Sequence, residues 1–245
     1  GADGALVSFR STDEGRSWSA AVRVNDEEAS AGEGLHAMAA DGNFSYTAWL
    51  DDRAGGKELR GASSSDGGAT WSKSQSIYRS PEGTICECCH PSVFIRGGGK
   101  ELFVLFRNWL SGSRDMFLAV STDGGSAFTE QKLGEGTWPL KACPMDGGGL
   151  WVDDKGPLTV WRRASAIFFA RPGNPETELG PGKNPTLAGH TVVWSAPDGL
   201  WMKGDGEPRL LEAQGAFPAG AAGAGRELVA YESGGRIIVR VLSGE

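Results

Sequence analysis

The chain has 245 residues and a formal charge of −7, with no Lys/Arg run dense enough to neutralise a row of phosphates, which excludes a nucleic-acid binder. No stretch of about 18 apolar residues occurs, so no membrane span is expected. Glycine at 38 positions, nine tryptophans, and short apolar runs between Gly-rich turns favour many strands over helices.

In chain order, a strand predicted over residues 6–10 leads into Ser11-Thr-Asp-Glu-Gly-Arg-Ser-Trp18, and the same Ser-x-Asp-x-Gly-x-(small)-aromatic octapeptide returns at 64–71 and 121–128. In each, the carboxylate (Asp13, Asp66, Asp123) can accept N–H groups of its own turn and the glycine (Gly15, Gly68, Gly125) supplies φ > 0. The aromatic (Trp18, Trp71, Phe128) is expected to anchor the turn on the sheet below. Starts at 11, 64 and 121 give spacings of 53 and 57, close to a four-stranded propeller blade with generous loops.

Second strands ending in an aromatic are predicted at 44–49, 101–106, 158–161, 191–194 and 227–231. Third strands are predicted at 6–10, 58–63, 115–120, 166–170, 200–203 and 236–242. Outer strands are expected at 21–24, 74–78 and 130–133, and inner ones at 35–39 and 91–95. Further on the repeat decays: 195–201 reads as a degenerate turn copy, 172–184 as a Pro/Gly loop, and 215–225 as a close-packed inner strand plus turn. Six third strands against five second strands predict one all-β domain over 1–245, a six-bladed β-propeller of four-stranded antiparallel blades whose first blade lacks its inner strands here. The alternative, a five-bladed ring, leaves one strand over.

The octapeptides resemble the Asp-box, or bacterial neuraminidase repeat, and through it the chain resembles the sialidase superfamily of β-propellers over nearly its whole length. The resemblance implies boxes on the outer rim, between third and fourth strands, so Asp13, Asp66 and Asp123 would be structural. Cys86-Glu-Cys-Cys-His90, Arg107-Asn108, Arg114-Asp115 and Ala142-Cys-Pro-Met-Asp-Gly147 are also similar to a bacterial group of sialidase-like repeat proteins. Sialidases proper carry an arginine triad, a Tyr/Glu nucleophile pair and an acid/base Asp. The Arg-Ile-Pro-type motif ahead of the first box is absent here, and of Tyr46, Tyr78 and Tyr231 only Tyr231 has an obvious neighbouring acid, Glu232.

Loops at one end of a propeller channel converge, so polar residues after the second strands meet although distant in sequence. Asp51, Asp52 and Arg53 follow Trp49; Arg107 and Asn108 follow Phe106; Arg162 and Arg163 follow Trp161; Arg114-Asp115 opens a third strand. Arginine suits bidentate recognition of carboxylate or sulfate. An acidic glycan is therefore the expected ligand, bound by Asp51, Arg53, Arg107, Asn108, Arg114 and Arg162 with His36 at the start of an inner strand. Glycoside hydrolysis needs two acids, for which Asp115 and Asp146 are the candidates, with His90 as a further acid/base. The bland alternatives are solvated strand ends, structural ion pairs and, for Asp146, a turn aspartate. His190 reads as a turn residue.

Cys86, Cys88 and Cys89 lie in one inter-blade connection and Cys143 in the next. Two main readings compete: a disulfide brace to Cys143, as an extracellular propeller would use, or a thiolate site with His90 and Met145 for copper(I) or zinc. A catalytic Cys–His pair is disfavoured because strand neighbours face opposite ways. The sequence points to a secreted or periplasmic sialidase-like propeller that binds, and in the stronger form hydrolyses, an acidic glycan without a required cofactor. A non-catalytic protein-binding propeller and a cysteine-based metalloprotein are the alternatives.

Overall fold

The computed structural model describes residues 3–32 and 34–242, and among these every regular element is a strand. The chain divides into two compact units, Gly1–Lys132 with Pro139–Met145, and Leu133–Trp138 with Asp146–Glu245. In the first, β1 (Val7–Ser8) pairs with β2 (Val22–Arg23), and two antiparallel meanders follow. These are β3 (His36–Asp41), β4 (Phe44–Asp51), β5 (Glu58–Ser64) and β6 (Gln75–Tyr78), then β7 (Ser92–Arg96), β8 (Glu101–Arg107), β9 (Met116–Ser121) and β10 (Thr129–Lys132).

The second unit holds β11 (Gly148–Asp153), β12 (Gly156–Arg163), β13 (Ala166–Ala170) and β14 (Thr177–Pro181) as one sheet, and β15 (Lys183–Ala188), β16 (Thr191–Ala196), β17 (Gly199–Lys203) and β18 (Arg209–Glu212) as another. A three-stranded sheet of β19 (Gly215–Gly223), β20 (Arg226–Ser233) and β21 (Arg236–Leu242) ends it. Six consecutive up-and-down sheets make this a six-bladed β-propeller fold.

The second strands form because their side chains are covered on both faces. β4 and β8 are buried from their second residue to their last, so they read as near-continuous apolar runs rather than alternating ones. Tyr46, Leu50, Leu59, Ile77, Ile85, Leu102, Val104 and Phe106 merge into one cluster in the first unit, and Val193, Leu200, Val229 and Tyr231 into one in the second. At roughly 1.5–3 kcal/mol per large apolar side chain removed from water, these clusters dominate the stabilisation.

Each box links a third strand to a fourth. Asp66 Oδ1 accepts the Ala69 and Thr70 N–H groups at 2.9 Å each, and its Oδ2 accepts Thr70 Oγ1 at 2.6 Å. Asp13 is held by the Ser17 hydroxyl and N–H and by Ser11, donors that bring its pKa down to about 2. Asp123 accepts Ser121 Oγ and the N–H groups of Ser126 and Ala127. Gly15, Gly68 and Gly125 have φ of 83°, 85° and 90°, the left-handed region where a side chain would be strained.

The aromatics of the second and third boxes pack in clusters that include their own sheets, Trp71 with Trp49 and Ala62 and Phe128 with Leu102 and Ala119, and they also reach beyond them. Phe128, after β9, lies 6.2 Å from Tyr46 of β4, and Trp71, after β5, donates Nε1 to Ser8 of β1 at 2.8 Å, so each reaches the preceding blade of the unit. Trp18 has no preceding blade in its unit and is 63% exposed, which corrects the anchoring role expected of it.

Three expectations for the later blades also change. The loop expected over 172–184 contains β14, a sheet edge where Pro181 leaves no central ladder bond unmade. Ser195–Trp201 is the tight β16–β17 hairpin, Ala196 opposite Gly199, between second and third strands, and so is no box. β11, β15 and β18 had no predicted counterpart. Residues 215–225 do form an inner strand, packed so closely that a Cβ on Gly220 would come within 2.3 Å of the Leu187 carbonyl oxygen.

Candidate functional site

In the first unit, the connections that follow β4, β6 and β8 are tied to one another by backbone bonds. The Ile85 N–H donates to Lys57 O at 2.9 Å, that of Cys86 to Arg107 O at 3.1 Å, and that of Asn108 to Asp115 O at 2.9 Å. Segment 139–145 joins them through a Ser113–Pro139 bridge and through Arg114 Nε, which donates to Leu140 O at 3.2 Å. The blade end expected to carry chemistry is thus assembled, and the cysteines sit in it.

Glu87 and Cys88 form a turn, so Cys86, Cys88 and Cys89 present their sulfurs together, all within 4.8 Å of one another. Cys86 Sγ lies 3.4 Å from Cys89 Sγ and 3.9 Å from Cys88 Sγ, and Cys88 also contacts Cys143. All four are free thiols, so the disulfide brace is not formed in the structure. Arg114 donates Nη1 to Cys86 Sγ at 3.0 Å while its guanidinium stacks over Trp109, 4.6 Å from the ring centroid.

The Cys86 thiol is pulled down to about 5, chiefly by its bond with Cys89. Burial opposes this, and the Cys88 N–H and the Arg114 charge add to it. Cys88 is pushed up to about 12 by burial, by Cys143 and by the charge on Cys86. His90 is exposed beside the cluster in sequence.

Most residues assigned to ligand binding are occupied elsewhere. Asp51 is fully buried and takes bonds from Trp49 Nε1 at 2.9 Å and from Arg53 N, Nε and Nη2 at 3.1, 2.8 and 2.9 Å. Arg53 also reaches Asp26 at 3.0 Å, and Asp26 accepts the Ser74 hydroxyl at 2.6 Å. This is a closed structural network, and it corrects the substrate-binding role expected of Asp51 and Arg53.

Arg107 is 2% exposed and spends Nη1 on Arg114 O at 2.7 Å; Asn108, fully buried, donates to Tyr78 Oη at 2.8 Å. Both shape the loop rather than face solvent. Asp115 is half-buried, 3.5 Å from Lys132 Nζ, and His36 is exposed with Nδ1 2.8 Å from Gly34 O. The three tyrosines are all buried, and Tyr231 belongs to an apolar cluster, so none takes a nucleophile's place.

In the second unit Asp146 is 2% exposed, accepts the Asn184 N–H at 3.1 Å and lies 3.5 Å from Arg162 Nη1, while Arg162 covers the Trp138 ring at 5.4 Å. The same unit holds a cavity of about 860 Å³ at the β15–β16, β17–β18 and β19–β20 turns. It is lined by Trp151, His190, Asp205, Glu207, Arg209, Arg226 and Glu227, with the buried Met202 and Leu242 among its apolar lining.

Beside the cavity, Arg171 clamps Asp153 with two bonds of 2.9 and 2.6 Å, and His190 Nε2 lies 2.8 Å from Asp153 Oδ2. Arg171, ahead of His190, holds the Asp153 carboxyl well below its usual range. Glu227 accepts the His190 N–H at 2.7 Å and Thr191 Oγ1 at 2.6 Å. None of Trp151, Asp153, Arg171 and Glu227 was singled out from sequence. Trp151 and Asp153 lie on β11, Arg171 follows β13 and Glu227 is near the start of β20, and no local motif links the three segments.

Among known proteins, the BNR repeat-like domain matches residues 2–141. No curated protein matches the sequence. Of the solved structures, the β-propeller domain of the Trilobed protease from Pyrococcus furiosus, described as having an open velcro topology, is 10% identical with a TM-score of 0.51, over 98% of this chain and 78% of that one. An endo-arabinase from Bacteroides thetaiotaomicron is 14% identical (TM-score 0.45, 86% of this chain, 94% of that one). An exo-β-1,3-galactanase from Phanerochaete chrysosporium is 13% identical (TM-score 0.48, 85% of this chain, 60% of that one). At 10% identity the likeness to the Trilobed protease propeller is one of fold. Because the repeat match extends over more than half of its residues, the chain belongs to the BNR repeat-like domain family.

Proposed function

We propose that this propeller binds carbohydrate in the cavity of its second unit. The observation that carries the reading is the pairing, in a space of about 860 Å³, of the Trp151 indole with charged side chains at the ends of three hairpins. An aromatic face suits the C–H face of a pyranose, and carboxylate and guanidinium groups fix hydroxyls by hydrogen bonds; the volume lies within the usual range for small-ligand sites. Three acids (Asp205, Glu207, Glu227) stand against two arginines (Arg209, Arg226) and a histidine. With no positive excess, the lining favours a neutral glycan over sialic acid or another acidic sugar. Hydrolysis, if the site performs it, would draw on these carboxylates rather than on Asp115 and Asp146.

Calorimetric titration with neutral and sialylated oligosaccharides tests the reading. Arg226→Ala, at the exposed start of β20, and Trp151→Ala are expected to weaken binding of the neutral set. Wild-type protein that binds none of them, or binding unchanged in both variants, refutes it.

A second reading, attachment to a protein partner, is favoured by one observation. Ile237, Val239 and Val241 alternate along one face of β21 at 73%, 66% and 52% exposure. The double substitution Ile237→Thr, Val239→Thr is expected to abolish partner capture and leave sugar binding intact; capture that survives it removes this reading.

A further inference from the structure

We propose that Cys86, Cys88 and Cys89 form a site for a thiophilic closed-shell metal ion, copper(I), with Cys143 as an adjacent outer thiol. The spacing of the sulfurs is the first ground. A metal–thiolate bond of about 2.3 Å places sulfurs about 3.8 Å apart around a tetrahedral ion and about 4.0 Å apart around a trigonal one. The 3.4 and 3.9 Å separations from Cys86 bracket the tetrahedral edge and approach the trigonal one, so an ion enters with sub-ångström movement.

Donor chemistry is the second ground. The ligand group holds three sulfurs and, among the described residues, no carboxylate or imidazole, a set that selects soft ions over calcium, magnesium or manganese. Three sulfurs suit copper(I), whereas a structural zinc needs a fourth ligand and would have to draw in Cys143.

The surroundings are the third. Three thiolates around a monovalent ion leave a net charge of −2. The Arg114 guanidinium, 3.0 Å from Cys86 Sγ, offsets it, and the N–H groups of Cys88 and Met145 are directed at the Cys86 and Cys88 sulfurs. Arg114 is itself fixed by Leu140 O and the Trp109 ring, so it acts as a positioning residue rather than a ligand. Burial grades across the site: Cys86 and Cys89 are 0% and 2% exposed, Cys88 is half-buried and Cys143 is exposed, which leaves an approach from solvent to a desolvated inner pair.

The test uses the reduced chain, titrated anaerobically with copper(I) against a competing chelator and, separately, with zinc(II). Metal per chain is measured by mass spectrometry and thiolate-to-copper charge transfer by ultraviolet absorbance. One copper(I) per chain is expected, weakened roughly 100-fold or more by Cys88→Ser and about 10–100-fold by Arg114→Ala, and retained by Cys143→Ser. Thermal melts establish that each variant is folded; Cys88, half-buried, is the ligand whose serine substitution disturbs packing least. Folded Cys88→Ser with wild-type copper affinity overturns the proposal. So does zinc uptake that depends on Cys143 without copper uptake, or a chain that binds no copper once reduced because its cysteines serve only as a disulfide brace.

Discussion

Replacing Asp51 separates a structural carboxylate from a ligand-binding one. Asp51→Ala deletes the acceptor of Trp49 Nε1, and Trp49 is 0% exposed, so the indole N–H is left in the core without that partner at a cost of about 1–3 kcal/mol. The same change strips three bonds from Arg53. Breaking a fully buried pair costs roughly 3–5 kcal/mol, but the Arg53 side chain is 20% exposed and keeps Asp26 at 3.0 Å, so its share falls to about 1 kcal/mol. The total is near 3 kcal/mol, and at about 2–4 °C per kcal/mol for a chain of this size the midpoint of thermal unfolding drops by roughly 6–12 °C. Tryptophan fluorescence against temperature measures it, with oligosaccharide titration of the folded variant alongside. A midpoint that stays within about 2 °C of wild type while sugar affinity is lost would refute the closed-network reading and return Asp51 to the ligand.

Equivalent positions of the repeat differ in cost. Trp18→Ala is expected to change stability by less than about 0.5 kcal/mol, whereas Phe128→Ala, which removes a half-buried ring packed on Tyr46, costs about 2 kcal/mol; urea unfolding compares them. Acid acts on several carboxyls at once. Burial opposes ionisation of Asp26, but Ser74 and Arg53 bring it down to about 2, while Asp51, Asp153 and Glu176 are also lowered by their arginines. Groups depressed in the folded state contribute stability above the unfolded value near 4 and lose it as pH falls through the folded value. The carboxyls are therefore expected to lower the unfolding midpoint between pH 4 and 2, less steeply in Asp26→Asn, separately from any decline the depressed Cys86 thiol brings from pH 7 to 5; an equal slope below pH 4 in that variant contradicts the assignment.

The fold was legible where physics is local. The box needs a carboxylate two residues after a serine and a glycine two further on, because Ser11, Ser64 and Ser121 each donate to their own aspartate and Gly15, Gly68 and Gly125 all require positive φ. The later blades lack that turn, and their inner strands conceal themselves for particular reasons. β19 is mostly Gly and Ala because its neighbour's backbone leaves no room for side chains at Gly220, and β14 ends in proline because an edge strand tolerates it. The reach of the box aromatic to the blade before was illegible, since sequence spacing shows only that a ring follows the turn and not what lies across from it.

The site was legible as a location and illegible as a set of contacts, and the cysteines show why. On a strand, Cys86 and Cys88 would face one way and Cys89 the other, the alternation that also counted against a catalytic Cys–His pair, while the extracellular reading favoured a brace to Cys143. The segment instead turns at Glu87 and Cys88 between two fixed points, the Cys86 N–H on Arg107 O and the start of β7 at Ser92, so the alternation never applies and three sulfurs converge. The arginines follow from the same geometry. Arg107 folds inward to hold the Arg114 carbonyl, which brings the Arg114 guanidinium to sulfur and to Trp109 rather than to an incoming anion. Charge that read as a carboxylate receptor thereby faces the Cys86 sulfur, and the proposed sugar site lies instead in the second unit, where Trp151 and Glu227 line the cavity.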